Sequence, residues 1–458
     1  MDPKRFPDRT AVADVRVAVE ALDAGAELDE TRRLAGRVMA RREMGKLVFL
    51  DLVDRSGRIQ LMCDVGRIGE VDVRLGDVVG VAGRPAKSRR GEPSLMVDEL
   101  TILARNTSPL PDTFHGLTDQ ETRYRKRYLD LMMDEASREL FLLRAKVVTA
   151  IRRYLDEEGF VEVETPVLQP RYGGAFAHPF VTHSNELDAD LYLRIATELY
   201  LKRLVVGGLE RVYEIGKDFR NESVSYKHQP EFTMLEWYEA YADFQDTMDR
   251  IETMLERVAI EATGSTVAEF RGHEVDLKRP WKRVKLVDAL QEHGVWSTDE
   301  AELRSILEGR GINTTEDKTW SQLVDHALTN YVEPRLIEPT FLYDYPVRLS
   351  PFARTTDDSD EIVERFEGFI GGTEMCNAFS ELNDSVEQEE RFRMQAEEGA
   401  GGNVEAEPGD EDYVQALSYG MPPTGGLGFG VDRLAMVLAG KDSIRDVILF
   451  PAQRERQA

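Results

Sequence analysis

The sequence predicts an α+β chain of at least two domains, a small β-barrel at the N-terminus followed by a larger domain that mixes strands and helices. Three observations carry this. Short runs of alternating apolar residues, separated by Gly- and Pro-containing turns, fill roughly the first hundred positions. Helical periodicity takes over from about Thr118. A length of 458 residues exceeds what one ordinary hydrophobic core serves.

In the first part, "GKLVFLDLVDRSGRIQLMCDV" sets Val48, Leu50 and Leu52, then Ile59, Leu61 and Cys63, on one face of two strands around the turn "DRSG". "LAGRVMAR" before it and "GDVVGVAGRPAKSRRGEPSLMVDELTIL" after it add further strands, five in all, enough for a closed barrel of the oligonucleotide-binding type over residues 1–108. A linker over 109–140 opens with the turn-rich "RNTSPLPDTFHGL", and a second domain is expected over 141–458. There, "SRELFLLRAKVVTAIRRYLDEEGF" aligns Leu142, Ala145, Val148, Ile151 and Leu155 on one helical face, with Gly159 as a stop signal. "VEVETPVL" reads as a strand interrupted at Pro166. Met248, Ile251, Leu255 and Val258 open a succession of helices, expected as a helical insertion over about 246–335, and "EEGAGGNVEAEPGDED" reads as an acidic loop.

Composition narrows the class. A hydrophobic share of 41% supplies such cores, and no run of apolar residues approaches a membrane span or a signal peptide, so a cytoplasmic protein is expected. Cys63 and Cys376 are far apart and support neither a disulfide framework nor a zinc cluster. The net charge of −27, from 85 acids against 13 lysines and 45 arginines, disfavours nonspecific attraction to polyphosphates and suits concentrated salt, where self-repulsion is screened. Arg41, Arg42, Lys87, Arg89 and Arg90 are local basic exceptions in the barrel.

The segment "FRNESVSYKHQPEF" (219–232) crowds cations, carboxylates, a histidine and two phenylalanines together. FRNE is followed at close range by HQPEF and, at Gly426–Arg433, by the glycine–arginine segment "GLGFGVDR". With "RYRKRYLDL", "ELYLKRLVVGG", "FSELND" and "IRDVILFP", the chain resembles class II aminoacyl-tRNA synthetases, and within them the bacterial-type lysyl enzymes, from about Leu34 to Arg454. The resemblance implies an OB-fold anticodon-binding domain before an antiparallel catalytic sheet flanked by helices. It implies activation of lysine with ATP and transfer to tRNA(Lys), with Mg²⁺ as cofactor. The segment "RAKVVTAIRRYLDEEGFVEVETPVLQP", with Pro166, is similar to the one that pairs two subunits in this class, so a homodimer is expected.

Residue roles follow from the same likeness. Attack of a carboxylate on the ATP α-phosphate brings two anions together, and a planar guanidinium bridges both, a role for Arg220. Phe232 stacks under adenine with Arg433 on the other face, and Glu222 and His228 fix adenine and triphosphate; Arg220, Glu222 and Arg433 form the catalytic set. Glu367 and Glu374 hold Mg²⁺. For lysine, Glu381 supported by Tyr238 meets the ε-ammonium, Glu198 and the backbone of Gly174 meet the α-ammonium, Asn377 joins Arg220 at the carboxylate, and Glu236 lines the pocket. No arginine or lysine is expected among these glutamates, which argues against an acidic amino acid as substrate. Phe49, Gln60 and Glu92 read a uridine-rich anticodon. Three departures stand out: Gln229 where asparagine is customary, His178 where arginine is, and Ser184 where histidine is. The rivals are an aspartyl or asparaginyl ligase of the same class, a lysine-activating paralogue that modifies a protein, and a non-catalytic RNA-binding relative.

Overall fold

The computed structural model describes residues 3–111, 117–175, 177–315, 317, 319–350, 352–400 and 409–454, and the chain divides into two compact units, Met1–Gln120 and Glu121–Ala458. In the first unit, helix α1 (Val12–Val19) precedes strands β1 (Arg32–Met44), β2 (Leu47–Asp54), β3 (Gly57–Asp64), β4 (Val78–Lys87) and β5 (Pro93–Ala104). They close a barrel in the order β1-β2-β3-β5-β4. Val48, Leu50, Leu52, Ile59, Leu61 and Cys63 all point inward and are buried, as their alternation predicts, and Val12 and Val15 of α1 join the same core. At the β2–β3 turn Asp54 Oδ1 accepts from the Ser56 and Gly57 amides at 2.7 and 3.1 Å. Gly83 sits where β4 and β5 shift register, and a Cβ there would lie 2.1 Å from the Met96 carbonyl, so only glycine allows this approach.

The second unit begins with two short helices, Gln120–Arg125 and Arg127–Met133, before α2 (Glu135–Glu157). The segment expected to be a linker is therefore helical from Gln120 on. Its charges, which look solvated in the sequence, are used internally: Arg123 and Arg127 both bond the buried Asp130, at 2.6 Å each, and the Tyr124 hydroxyl donates to Asp446 at 2.7 Å. Residues 112–116, the rest of that segment's centre, lie outside the described residues.

The main sheet contains β6 (Val161–Glu162), β7 (Arg211–Phe219), β8 (Glu231–Ala240), β9 (Lys282–Lys285), β10 (Thr340–Pro346), β11 (Ser359–Ile370), β12 (Thr373–Ser380) and β13 (Thr424–Gly430). The order is β9-β10-β11-β12-β13-β8-β7-β6, with Thr355–Thr356 paired beside β11. The interior pairs are antiparallel; β9/β10 and β6/β7 are parallel. Helices α2, α4 (Phe244–Thr263) and, after β13, the helix Val431–Ala439 cover one face. Val147, Ile151, Met248, Leu255 and Leu434 pack there against Leu235, Trp237, Leu427 and Phe429 of the strands. Because successive strand residues alternate, Glu236, Tyr238, Gly426, Gly428 and Asn377 fall on the opposite face. Helix α3 (Glu198–Val206) lies against β8 on that side.

The block expected as a helical insertion is composite. Its first helix, α4, belongs to the main core, whereas α5 (Leu286–Glu292), α6 (Glu300–Gly309) and α7 (Trp320–Ala327) build a separate cluster around Leu303, Leu307 and Trp320. A short hairpin, Val267–Phe270 with His273–Asp276, intervenes. Of the stretch read as an acidic loop, residues 401–408 lie outside the described residues. What precedes them closes the helix Ser385–Ala400, and α8 (Glu411–Ser418) follows; the C-terminal helix Val431–Ala439 is α9.

Candidate active site

A cavity of about 550 Å³ opens on the uncovered face of the sheet, with Gly428 and Gly430 in its floor. Strands β7 and β8 pair in register, Asp218 opposite Phe232, and the loop between them carries Arg220, Glu222 and His228. The Arg220 amide donates to the Pro230 carbonyl at 2.9 Å, which closes the loop. The Arg220 guanidinium carbon lies 5.2 Å from the Phe232 ring centroid, so the cation rests over the ring assigned to adenine. Glu222 is on the exposed part of the loop. Ser225 Oγ and His228 Nδ1 are 3.1 Å apart. Desolvation, Arg433 and Lys227 push the imidazole down to about 4, so it is neutral at ordinary pH and available to hydrogen-bond rather than to add charge.

The opposite side of the cavity is formed by β11, β12 and the start of α9. Arg433, in the first turn of α9, donates to the Glu374 carbonyl at 2.6 Å and reaches its carboxylate at 3.1 Å. It is thus held at Glu374. Arg365 bonds Glu367 at 2.7 Å and Asn377 Oδ1 at 3.0 Å, fixing two cavity residues from one side chain. Burial and the neighbouring Glu374 charge raise Glu367 to about 7 against the pull of Arg365, while desolvation also works upward on the partly exposed Glu374 but Arg433 brings it below its ordinary value. Asp432 anchors α9 from below: it accepts from the Thr233 amide at 2.7 Å and pairs with Arg144 of α2 at 2.5 Å.

At the inner end the lining is acidic. Glu236 accepts from the Thr197 amide at 3.1 Å and from the Tyr238 hydroxyl at 3.4 Å. Burial, with the charges of Asp218 and Glu198 added, raises it to about 8. Glu198 begins α3, and Gly174 faces it with φ +85°; a Cβ at Gly174 would lie 3.0 Å from the Glu198 Cβ. Glu381 is 1% exposed, behind Tyr238, and does not line the cavity directly. Burial raises it to about 8 although a cation lies beside it. That cation corrects the expectation that no lysine or arginine stands among these glutamates: Lys202, one helical turn after Glu198, is completely buried, bonds Glu198 at 2.5 Å and pairs with Glu381. The spacing i, i+4 on α3 brings it there. With both neighbours already on it, Lys202 presents no cationic face to the cavity, and the lining keeps its negative sign.

The barrel carries its own group of side chains. Phe49 stands opposite Arg42 and Met62, on the outer surface of the β1–β2–β3 ladder, and is half-buried. Gln60 lies on the same surface, donating to Ser94 Oγ at 2.9 Å and accepting from Arg42 at 3.3 Å. Glu92 is exposed on the β4–β5 turn. Cations, an aromatic ring and amide groups thus share one face of the barrel.

Residues 119–454 match the family described as tRNA synthetases class II (D, K and N), and residues 33–103 match the OB-fold nucleic acid binding domain. A protein named Lysine–tRNA ligase from Shouchella clausii is 48% identical over 441 residues, covering 94% of this chain and 88% of its own. One of the same name from Dehalococcoides mccartyi is 47% identical over 463 residues, 98% of this chain and 93% of its own. A third, from Carboxydothermus hydrogenoformans, is 48% identical over 452 residues, 96% and 92%.

The chain belongs to the class II tRNA synthetases.

In this synthetase Gly174, Glu198, Arg220, Glu222, His228, Phe232, Glu236, Tyr238, Glu367, Glu374, Asn377 and Arg433 converge on one cavity; Glu381 alone of that set stands behind it. The departures noted in the sequence have local accounts. Gln229 is buried and spends its amide on structure, accepting from the Ala452 amide at 3.0 Å and donating to the His228 carbonyl at 3.3 Å. His178 contributes its carbonyl to the Asn221 amide at 2.7 Å, and it is absent from the cavity lining. Ser184 accepts from the Leu187 amide at 3.4 Å in a turn. Sequence reasoning missed Arg365, Lys202 and Asp432. The helical spacing of Glu198 and Lys202 was a usable signal; Arg365 and Asp432 adjoin named motif residues, but nothing in the sequence shows which way they turn.

Proposed function

We propose that this synthetase is a lysine–tRNA ligase, which activates L-lysine with ATP to lysyl-adenylate and pyrophosphate and then transfers the lysyl group to the 3′ end of tRNA(Lys). The observation that carries this reading is the sign of the inner pocket: Glu198, Glu236 and Glu381 are buried together with one resident cation already neutralised by two of them. Such an end accommodates an ammonium and repels a carboxylate, since an unpaired buried charge costs several kcal/mol. This favours lysine over aspartate, and the names of the relatives agree with it.

In the proposed chemistry no side chain acts as nucleophile. Arg220 bridges the lysine carboxylate and the α-phosphate, so the attacking and attacked anions share one fixed positive charge as the pentacoordinate state forms. Phe232 provides the stacking surface for adenine, and His228, being neutral, is suited to donate or accept at the nucleotide without competing for the phosphates. Asn377, held by Arg365, orients the substrate carboxylate. Glu367 and Glu374 fit Mg²⁺: both line the cavity, and at Glu367, raised chiefly by burial, the Glu374 charge adds a repulsion that a dication relieves. Among the described residues no cluster of three or more His, Cys, Asp or Glu forms a metal site, which suits an ion that arrives with the triphosphate and takes its remaining oxygens from phosphate and water. Bound there, it would neutralise charge on the departing pyrophosphate.

The barrel face around Phe49, Gln60 and Glu92 is the proposed anticodon reader. A homodimer is supported by apolar side chains left open along and beside the Pro166 segment: Leu142, Val161, Val167, Leu168 and Val181 are 40–60% exposed. No helix among the described residues is long and apolar enough to cross a membrane, which accords with a cytoplasmic enzyme. Pyrophosphate exchange measured with each of the twenty amino acids tests the reading. Lysine alone is expected to stimulate it strongly; stimulation by aspartate or asparagine instead, or by none, would overturn it.

A further inference from the structure

The inner pocket contains more negative charge than it can hold unaided. Glu198, Glu236 and Glu381 are each at most 5% exposed, and the Tyr238 and Tyr413 hydroxyls are the other titratable groups facing them from β8 and α8, with Asp218 of β7 behind Glu236. Asp218 has its own cation, Arg194 at 3.1 Å; among the described residues the cation paired with the three glutamates is Lys202. It is 0% exposed, bonds Glu198 Oε1 at 2.5 Å, pairs with Glu381 Oε2, and lies over the Tyr238 and Phe352 rings at 5.8 and 5.3 Å from their centroids. Glu381 Oε1, in contrast, has no hydrogen-bond partner among the described residues. It lies over Gly426, where a Cβ would come within 2 Å of it, beside the Tyr238 ring that walls the cavity.

We propose that Lys202 is the resident counter-ion that tunes this pocket for a substrate carrying two ammonium groups: it occupies one oxygen of Glu198 and one of Glu381, favours the ionised form of both, and leaves the other oxygen of each for the incoming lysine. The charge count supports this role. Once lysine is bound, three ionised carboxylates and one fixed ammonium leave two negative charges, matching the α- and ε-ammonium groups of lysine, whose own carboxylate is met by Arg220. Without Lys202 the three acids would share protons instead, because buried like charges at this range cannot all ionise. A protonated Glu381 offers a hydroxyl to an ammonium, which is the wrong partner. Lys202 thereby acts through Glu198 and Glu381 as a positioning residue and touches no reacting atom. Burial opposes its charge, but the two carboxylates prevail and hold its proton firmly.

This rests on the lysine-ligase reading. The test is lysine- and ATP-dependent pyrophosphate exchange by the full-length wild type, Lys202→Met and Lys202→Arg from pH 6.5 to 9. In K202M the lysine KM is expected to rise at least tenfold at pH 7, and its fall with rising pH is expected to be displaced to higher pH than in the wild type, so that the deficit narrows toward pH 9 as Glu381 is forced to ionise. The ATP KM and kcat should stay within about threefold of wild type, and K202R should retain the wild-type pH profile. Should K202M be recovered only as aggregate, Lys202→Gln, one atom shorter but keeping an uncharged donor, carries the same comparison. A lysine KM within threefold of wild type at every pH, or a loss shared equally by lysine and ATP with no pH dependence, would overturn the counter-ion role and leave the ligase reading intact. Wild-type exchange that does not respond to lysine would sink both.

Discussion

At the scale of single residues, the site is organised by arginines and one lysine that spend their charge on other site residues. Arg365 holds Glu367 and Asn377, Arg433 holds Glu374, and Lys202 holds Glu198 and Glu381. Each cation fixes the rotamer of the carboxylate or amide that would touch substrate, which is how a polar cavity stays ordered. The raised carboxyls set a pH dependence. Glu236 and Glu381 both ionise only near about 8, and an ammonium binds the ionised form. Lysine must therefore displace a proton below that pH, so its KM in exchange should fall as pH rises from 6.5 to 8.5. The ATP KM does not involve these two groups; the carboxyl on its side is Glu367, raised to about 7, so above pH 8 it should stay constant while the lysine KM still falls. Little of this was legible in the sequence, because a residue such as Arg365 is recognised only through the partners that a paired strand brings across to it.

Elements position these residues through buried polar joints. Arg194, 2% exposed and just after the strand Ala189–Leu193, ties the segment that leads into α3 to β7 by bonds to Glu214 at 2.5 Å and to the Lys217 carbonyl at 2.9 Å. Asp432 does the same for α9, whose first turn must place Arg433 over the cavity: it joins α9 to β8 through Thr233 and to α2 through Arg144. Truncating one partner of a buried charge pair leaves the other uncompensated, so Asp432→Ala should lower unfolding free energy by roughly 3 kcal/mol. Urea denaturation is the measurement, and a change below about 1 kcal/mol would show that the joint is not structural. The elements themselves were largely readable. Alternation in 47–64 gave the barrel hairpin, and the helical spacing of Leu142 to Leu155 gave α2 with Gly159 just beyond its end, although Leu142 and Ala145 of that expected face are exposed and Val147, Ala150 and Tyr154 join Ile151 and Leu155 in the core. The order of the large sheet was not, since β8 pairs with β13 across nearly two hundred residues of sequence and nothing local encodes that choice.

Across the whole molecule, two units carry two tasks. Activation needs only the cavity of the second unit, whereas tRNA selection is assigned to the barrel. Phe49→Ala should therefore leave lysine-dependent exchange unchanged and lower aminoacylation of tRNA(Lys), by about 5- to 150-fold if one stacked base is lost. Equal loss in both assays would mean that Phe49 serves the fold of the barrel rather than the RNA. Against the net charge of −27, the basic exception Arg42 stands on β1 opposite Phe49 in the proposed reader face, whereas Arg41 spends its guanidinium on the Val71 and Val73 carbonyls and on Glu43.

The central claim is that a buried acidic pocket selects the substrate by its distal ammonium, and Glu381→Gln tests it most directly. Removing that charge while keeping shape should reduce kcat/KM for lysine in pyrophosphate exchange by about a hundredfold, the scale expected when one side of a buried charge pair is lost, with the ATP KM unchanged. Undiminished lysine-dependent exchange in this variant would contradict the account.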